Sequence, residues 1–107
     1  MCEFKLRVRE NDELKNIANG IVLGTLEEDK MVFRGLGVEE KIEGALITEL
    51  NVIAEESAYI EIIKSPIISE FLKFFSQYLK YKQGKMENSD IIDIWKKTSE
   101  SIMNLIK

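Results

Sequence analysis

The 107-residue chain contains no histidine and a single cysteine, Cys2. Without histidine, proton transfer near neutral pH would fall to Asp, Glu, Lys or Tyr side chains. The many Glu residues show no paired spacing that separates catalysis from a solvated surface, so we predict that the protein is not an enzyme. Cysteine pairs are also absent, which excludes the disulfide framework that a small secreted domain usually needs.

Long apolar runs are missing as well. A transmembrane helix needs about 20 consecutive apolar residues, and no stretch of the sequence approaches that length. Lys5, Arg7 and Arg9 interrupt the first residues, so the amino terminus lacks the apolar core of a signal peptide. We therefore expect a cytoplasmic protein without a membrane segment.

Charge is unevenly distributed along the chain. Residues 1–63 carry seven Lys or Arg against fourteen Asp or Glu, a net charge of −7, whereas residues 64–107 carry eight Lys against five acidic residues, a net charge of +3. Affinity for nucleic acid comes largely from the neutralisation of phosphates by basic side chains. The acidic first part therefore disfavours nucleic-acid binding. Its negative charge is compatible with binding of a divalent cation.

The first part of the chain has the pattern of short strands separated by turns. Residues 4–9 alternate apolar and basic side chains, which indicates a strand with one buried face. Residues 14–18 are ambiguous between a short strand and a helical turn. Further strands are predicted at 21–23, 31–33, 38–43, 45–52 and 58–63, with a charged edge strand at 38–43 and a turn at 54–57. Five or six strands in this arrangement predict a small antiparallel β-barrel.

The period of the apolar pattern changes from two residues to three or four at Lys64. Ser65 and Pro66 form a helix start, with Ser as the N-cap and Pro at the first helical position. Apolar residues then recur at steps of three and four until Gly84 ends the helix.

A second helix follows a short polar link, and Asn88 or Ser89 is its predicted cap. The fold class predicted for the whole chain is α+β. We expect a small β-barrel domain over residues 1–63 and a two-helix C-terminal extension, a helical hairpin, over residues 64–107.

Five of the six aromatic residues of the helical hairpin are candidate interface residues. They are Phe71, Phe74, Phe75, Tyr78 and Trp95. An aromatic stripe of this kind is often simply core, but two isolated helices cannot hide so much apolar surface from water. A barrel of about 60 residues also hides only about 60% of its unfolded surface and is marginal alone. We therefore predict a homodimer with these residues at the interface, packed on the barrel or on a second chain.

Cys2 is the candidate metal ligand. If Met1 is removed after synthesis, the α-amine and the thiolate of Cys2 form a five-membered N,S chelate, which suits Ni(II) or Cu(II) better than Mg or Ca. If Met1 is retained, a deprotonated amide would have to replace the amine. Two copies in a dimer would complete four ligands. The alternative is an ordinary thiol, because a lone cysteine commonly behaves as a small hydrophobe.

Three segments of the sequence resemble the CooT-like family of very small proteins. They are the start Met-Cys-Glu-Phe-Lys at 1–5, the segment 26–33 ahead of a glycine-containing turn, and the segment 45–52 ahead of the last strand. The resemblance covers roughly residues 1–63, and the helical part has no counterpart in the minimal family pattern.

The resemblance implies a dimeric small β-barrel that acts as a nickel-binding accessory protein in the maturation of carbon monoxide dehydrogenase, with Cys2 as the metal ligand. Archaeal relatives have been labelled predicted RNA-binding proteins. We therefore expect a non-enzymatic nickel carrier with Ni(II) as cofactor and a client metalloenzyme as partner. Two alternatives remain open, a small-barrel nucleic-acid-binding module and a protein–protein interaction module that uses the helical hairpin.

Overall fold

The structure, a computed structural model, describes residues 3–52 and 58–107, which form one six-stranded sheet followed by two helices. The strands are β1 (Phe4–Glu10), β2 (Glu13–Glu27), β3 (Lys30–Gly35), β4 (Val38–Glu43), β5 (Ala45–Asn51) and β6 (Tyr59–Lys64). The helices are α1 (Pro66–Lys82) and α2 (Asn88–Ile106). The predicted α+β class is confirmed, while the turn predicted at 54–57 lies outside the described residues.

The sheet is mixed and open. Its strand order is β4-β3-β2-β1-β6-β5, in which β1 and β6 run parallel and the other neighbouring pairs are antiparallel. In the described part of the chain β4 and β5 do not pair, so the prediction of a closed antiparallel barrel is corrected. Local alternation identifies a strand, but it does not specify the distant strand with which it pairs.

Strand β2 bends in its middle and belongs to both halves of the sheet. Its first half pairs with β1 and its second half with β3, and the bend falls at Gly20, where φ is +72°. A side chain at Gly35 would clash with the carbonyl oxygen of Gly20, so glycine is required where the two backbones approach. The predicted segments at 14–18 and 21–23 are thus parts of one 15-residue strand.

Gly44 brings the two edges of the sheet together at one end. It is the single residue between β4 and β5, which are the outermost strands on opposite edges. In a flat sheet five spacings of about 4.8 Å would separate these edges by about 24 Å, yet consecutive Cα atoms are only about 3.8 Å apart. The sheet therefore curls around its inner face into a half-open barrel.

The core lies on this inner face. Its buried members are Leu6, Val8, Ile21, Phe33, Ala45, Ile60 and Ile62. Full burial of one such aliphatic or aromatic side chain contributes about 1.5–3 kcal/mol, so this cluster is the main source of stability in the sheet. The alternation predicted for β1 is present, because its basic residues lie on the opposite, outer face.

Helix α1 begins directly after β6, as the sequence predicts. Ser65 is the N-cap, and its Oγ accepts a hydrogen bond of 3.1 Å from the N–H of Ile67. Pro66 occupies the first helical position. Gly84, with φ of +77°, lies just beyond the end of the helix.

Helix α2 packs mainly on α1. Its N-cap is Glu87, so the prediction of Asn88 or Ser89 is wrong; a reciprocal capping box links Glu87 with Asp90. In the ranges that the structure describes, neither helix combines the length and apolar character that a membrane span requires.

Candidate functional site

Cys2, the predicted metal ligand, lies outside the described residues, as does Met1. The chain enters the sheet at Phe4, the first residue of β1, which is bordered by β2 and β6. The N–H of Lys5 donates a hydrogen bond of 3.0 Å to the carbonyl oxygen of Ala58. The backbone that follows Cys2 is therefore part of an interior strand. Among residues 3–52 and 58–107, no group of three or more Cys, Asp or Glu side chains is placed to hold a metal ion.

An outer polar ladder crosses the solvent face of β1, β6 and β5. It consists of Arg7, Arg9, Glu49, Tyr59 and Glu61. The guanidinium carbon of Arg7 lies 4.4 Å from the centre of the Tyr59 ring, and Arg9 Nη2 lies 3.1 Å from Glu61 Oε1. The hydroxyl of Tyr59 donates a hydrogen bond to the carboxylate of Glu49. Both arginines therefore have partners within the sheet.

Three members of the outer polar ladder, Arg9, Tyr59 and Glu61, have shifted pKa values. The hydrogen bond from Arg9 lowers the pKa of Glu61, and the same bond raises the pKa of Arg9. The hydrogen bond to Glu49 raises the pKa of Tyr59, because a phenolate would lie beside a carboxylate. These shifts move the pKa values of the three groups further from neutral pH, so Arg9 and Glu61 stay charged and Tyr59 stays neutral there.

A second polar cluster, the Asp29 corner, lies where α1 meets the sheet. It consists of Asp29, Glu43, Gly44, Ser65 and Ser69. Asp29 is only 7% exposed, and the Oγ of Ser69 donates a hydrogen bond of 2.8 Å to its Oδ2. The N–H of Gly44 donates to the carbonyl oxygen of Asp29 at 2.8 Å, and its own carbonyl accepts from Ser65 at 3.0 Å. These bonds join the β2–β3 turn, the β4–β5 connection and the start of α1.

The Asp29 carboxylate is held in its charged form. Burial alone would raise the pKa of Asp29, but the hydrogen bonds from Ser69 and from the residue's own backbone, with smaller contributions from Glu43 and Lys73, lower it below the ordinary value. The carboxylate also lies beside the first turn of α1, where the helix dipole favours negative charge. The sequence offered one signal for this contact, a serine within the apolar pattern of α1.

An open cavity of about 460 Å³ adjoins the Asp29 corner. Its lining residues are Glu43, Lys64, Ser65, Pro66, Ser69, Glu70, Lys73 and Leu105. The two lysines around it are paired, since Lys64 Nζ lies 3.1 Å from Glu10 Oε1 and Lys73 Nζ lies 3.8 Å from Glu70 Oε1. We therefore interpret the corner as a structural joint between the sheet and α1.

The aromatic residues predicted at an interface lie together on the hairpin. The ring of Phe74 has its centre 5.1 Å from that of Trp95, 6.2 Å from Tyr78 and 6.3 Å from Phe75. Phe71 lies one helical turn before Phe75. We call these five residues the aromatic stripe, and it spans both helices because Phe74 of α1 contacts Trp95 of α2.

The aromatic stripe is largely uncovered. Phe75 is 50% exposed and Trp95 43% exposed, and Phe71 and Tyr78 are exposed to a similar degree. At roughly 200 Å² for each aromatic residue, these four leave on the order of 350 Å² of aromatic surface in water. That is comparable to the largest apolar patch of a typical monomer, which is often functional. The interpretation of the stripe as core does not apply to these four side chains.

A second apolar surface, the open β5 edge, consists of Ile47 and Leu50. Ile47 is paired with Ile62 and Leu50 with Ile60, so both point toward the core side of the sheet. They are nevertheless 40% and 59% exposed, because β5 is an outermost strand. Sequence reasoning missed this surface, since a closed barrel would have buried it.

Comparison with protein-family models, with curated proteins and with solved structures gives no match to this chain.

Proposed function

We propose that the protein is a non-enzymatic metal-binding accessory protein that carries nickel, with Cys2 as the ligand and a homodimer as the working form. The observation that supports it best is the position of the first strand in the sequence, because β1 begins at Phe4, two residues after Cys2. This strand is an interior strand of the sheet, and Lys5 is hydrogen-bonded to Ala58 at 3.0 Å.

The chemistry of the amino terminus supports nickel over harder cations. After removal of Met1, the amine and thiolate of Cys2 offer one N and one S donor, and two copies offer the N₂S₂ set that square-planar Ni(II) accepts. Thiolate ligation requires loss of a proton, so affinity should fall as pH is lowered. A client metalloenzyme would receive the metal, as the resemblance to the CooT-like family implies.

The test is a nickel titration of protein whose amino terminus has been verified by mass. We expect a thiolate-to-nickel charge-transfer band near neutral pH, at one nickel per two chains, and its loss in Cys2→Ala. A variant with one extra glycine ahead of Cys2 is the matched control, because it keeps the thiol and removes the chelating amine. Nickel affinity in Cys2→Ala equal to that of the wild type would contradict the proposal.

A second candidate function is a protein–protein interaction module. The half-exposed side chains of Phe75 and Trp95 favour it, since aromatic residues are enriched at interface cores. The two functions are compatible, because an accessory protein has to contact either its own second copy or its client.

A further inference from the structure

We propose that the aromatic stripe of one chain packs on the open β5 edge of a second copy, and reciprocally, so that each hairpin closes the half-open barrel of its partner. This inference rests on the self-association in the proposed function but is independent of the metal. It begins from two apolar surfaces that a single chain leaves in water, the stripe and the edge.

The hairpin is held so that it does not cover its own β5 edge. Only Ser65 separates β6 from α1, which leaves no linker for the helices to fold back. The first turn of α1 is then fixed by the bond between Ser69 and Asp29 at 2.8 Å and by that between Ser65 and Gly44 at 3.0 Å. With this orientation fixed, the stripe remains about half exposed.

The area of the two surfaces matches what a stable dimer needs. The stripe contributes on the order of 350 Å² of exposed aromatic surface. The β5 edge adds aliphatic surface, and so do the exposed Leu79 and Ile92 of the hairpin, which lie one helical turn from Phe75 and Trp95. The sum approaches the roughly 800 Å² per partner of a standard interface. Either surface alone falls well short of that value, whereas a reciprocal two-fold contact uses both surfaces twice.

The distribution of charge also favours a second copy of the chain as the partner. Residues 64–107 carry a net charge of +3 and residues 1–63 a net charge of −7. A hairpin placed on the sheet of a second copy brings opposite charges together, whereas hairpin against hairpin or sheet against sheet brings like charges together. Complementary fields of this kind suppress the wrong pairing and direct the hairpin to the sheet.

Sedimentation of the full chain is the first test. We expect a dimer at micromolar concentration, and at least a tenfold increase of the dissociation constant in both Phe75→Glu and Leu50→Glu. The matched control is Leu36→Glu, because Leu36 is 88% exposed in the turn after β3 and belongs to neither surface. Circular dichroism verifies that each variant is folded; the substituted side chains are half exposed or more. A monomeric wild type, or an unchanged constant in either variant, overturns the proposal.

Cross-linking identifies the pair of surfaces. In a metal-free Cys2→Ser background, chains with Leu50→Cys are mixed with chains with Phe75→Cys and oxidised. We expect heterodimeric disulfides in the mixture to exceed the homodimeric ones of either chain alone. Predominant linkage between two Phe75→Cys chains would instead show a hairpin-to-hairpin dimer and refute the reciprocal arrangement. Because no nickel and no Cys2 are present, failure here is distinguishable from failure of the metal proposal.

Discussion

The hydroxyl of Ser69 donates a hydrogen bond of 2.8 Å to the carboxylate of Asp29, forty residues earlier in the sequence. This bond is a buried polar contact between the helical hairpin and the sheet. It couples the orientation of α1 to the turn between β2 and β3, and it explains why a charged residue is tolerated at a buried position.

We predict that Ser69→Ala lowers the free energy of unfolding by about 1–3 kcal/mol, because the buried Asp29 carboxylate loses its donor. Urea denaturation measures the change. Ser101→Ala is the control, since Ser101 is exposed on α2 and the substitution should be neutral or slightly stabilising there. An unchanged midpoint in Ser69→Ala would show that water replaces the hydroxyl without cost.

The same variant should show a defined dependence on pH. The pKa of Asp29 is lowered from its ordinary value of 3.8 in the folded protein. The contribution of the Asp29 carboxylate to stability is therefore present above pH 3.8 and is lost as the pH falls through the lower pKa of the folded state. The difference between wild type and Ser69→Ala should thus be constant near neutral pH and shrink in strong acid. A stability difference between wild type and Ser69→Ala that grows on acidification would contradict the lowered pKa of Asp29.

Gly44→Ala is predicted to destabilise the protein by about 2 kcal/mol or more. The residue has φ of +66°, and an added Cβ would lie 2.5 Å from the carbonyl oxygen of Ser65. Gly37→Ala is the matched control, because Gly37 has a similar φ of +75° but open space around it, and should cost only about 1 kcal/mol. Equal losses in thermal denaturation would mean that the close approach at Gly44 relaxes freely.

At the alkaline end we predict that Glu49→Gln lowers the pKa of Tyr59 toward its ordinary value of 10.0. The pKa of Tyr59 is raised in the folded protein, so the protonated hydroxyl stabilises the fold at every pH below 10.0. This contribution is lost as the pH rises through the higher pKa of the folded state. Absorbance titration of tyrosine in a Tyr78→Phe, Tyr81→Phe background isolates the group. Glu39→Gln on β4 serves as the control and should leave the titration unchanged.

Binding of RNA at physiological salt is predicted to be weaker than micromolar. Residues 1–63 carry a net charge of −7, and the guanidinium groups of Arg7 and Arg9 already contact Tyr59 and Glu61. A fluorescence titration with single-stranded RNA over a range of salt concentrations checks this. Submicromolar binding with a steep salt dependence, abolished by Arg7→Ala, would favour the nucleic-acid module instead.

Local signals in the sequence were sufficient for most of the secondary structure. The alternation at residues 4–9 predicted β1, and Ser65 with Pro66 predicted the start of α1, because both depend on neighbouring residues alone. The cap at Glu87 was missed because glutamate is not among the preferred N-cap residues, and a reciprocal bond with Asp90 compensates for this.

Features that depend on distant pairing could not be predicted. The parallel contact of β1 with β6 and the place of β4 and β5 at opposite edges of the sheet involve segments that are distant in the sequence, and no local pattern specifies them. The grouping of the aromatic stripe on one face was predictable from helical spacing, whereas its exposure depends on the joint between Asp29 and Ser69. The role of Cys2 stays a prediction, since that residue lies outside the described ranges.

The two edges of the sheet differ in a way that limits growth of an assembly. Strand β4 carries four charged residues out of six, while β5 exposes Leu46, Ile47 and Leu50. Extension of the sheet from molecule to molecule would require the β5 edge of each molecule to meet the β4 edge of the next, and that contact would strip water from the charges of β4. Edge-to-edge addition is therefore disfavoured at every step, and concentrated solutions of this protein should not contain sheets that run continuously from molecule to molecule.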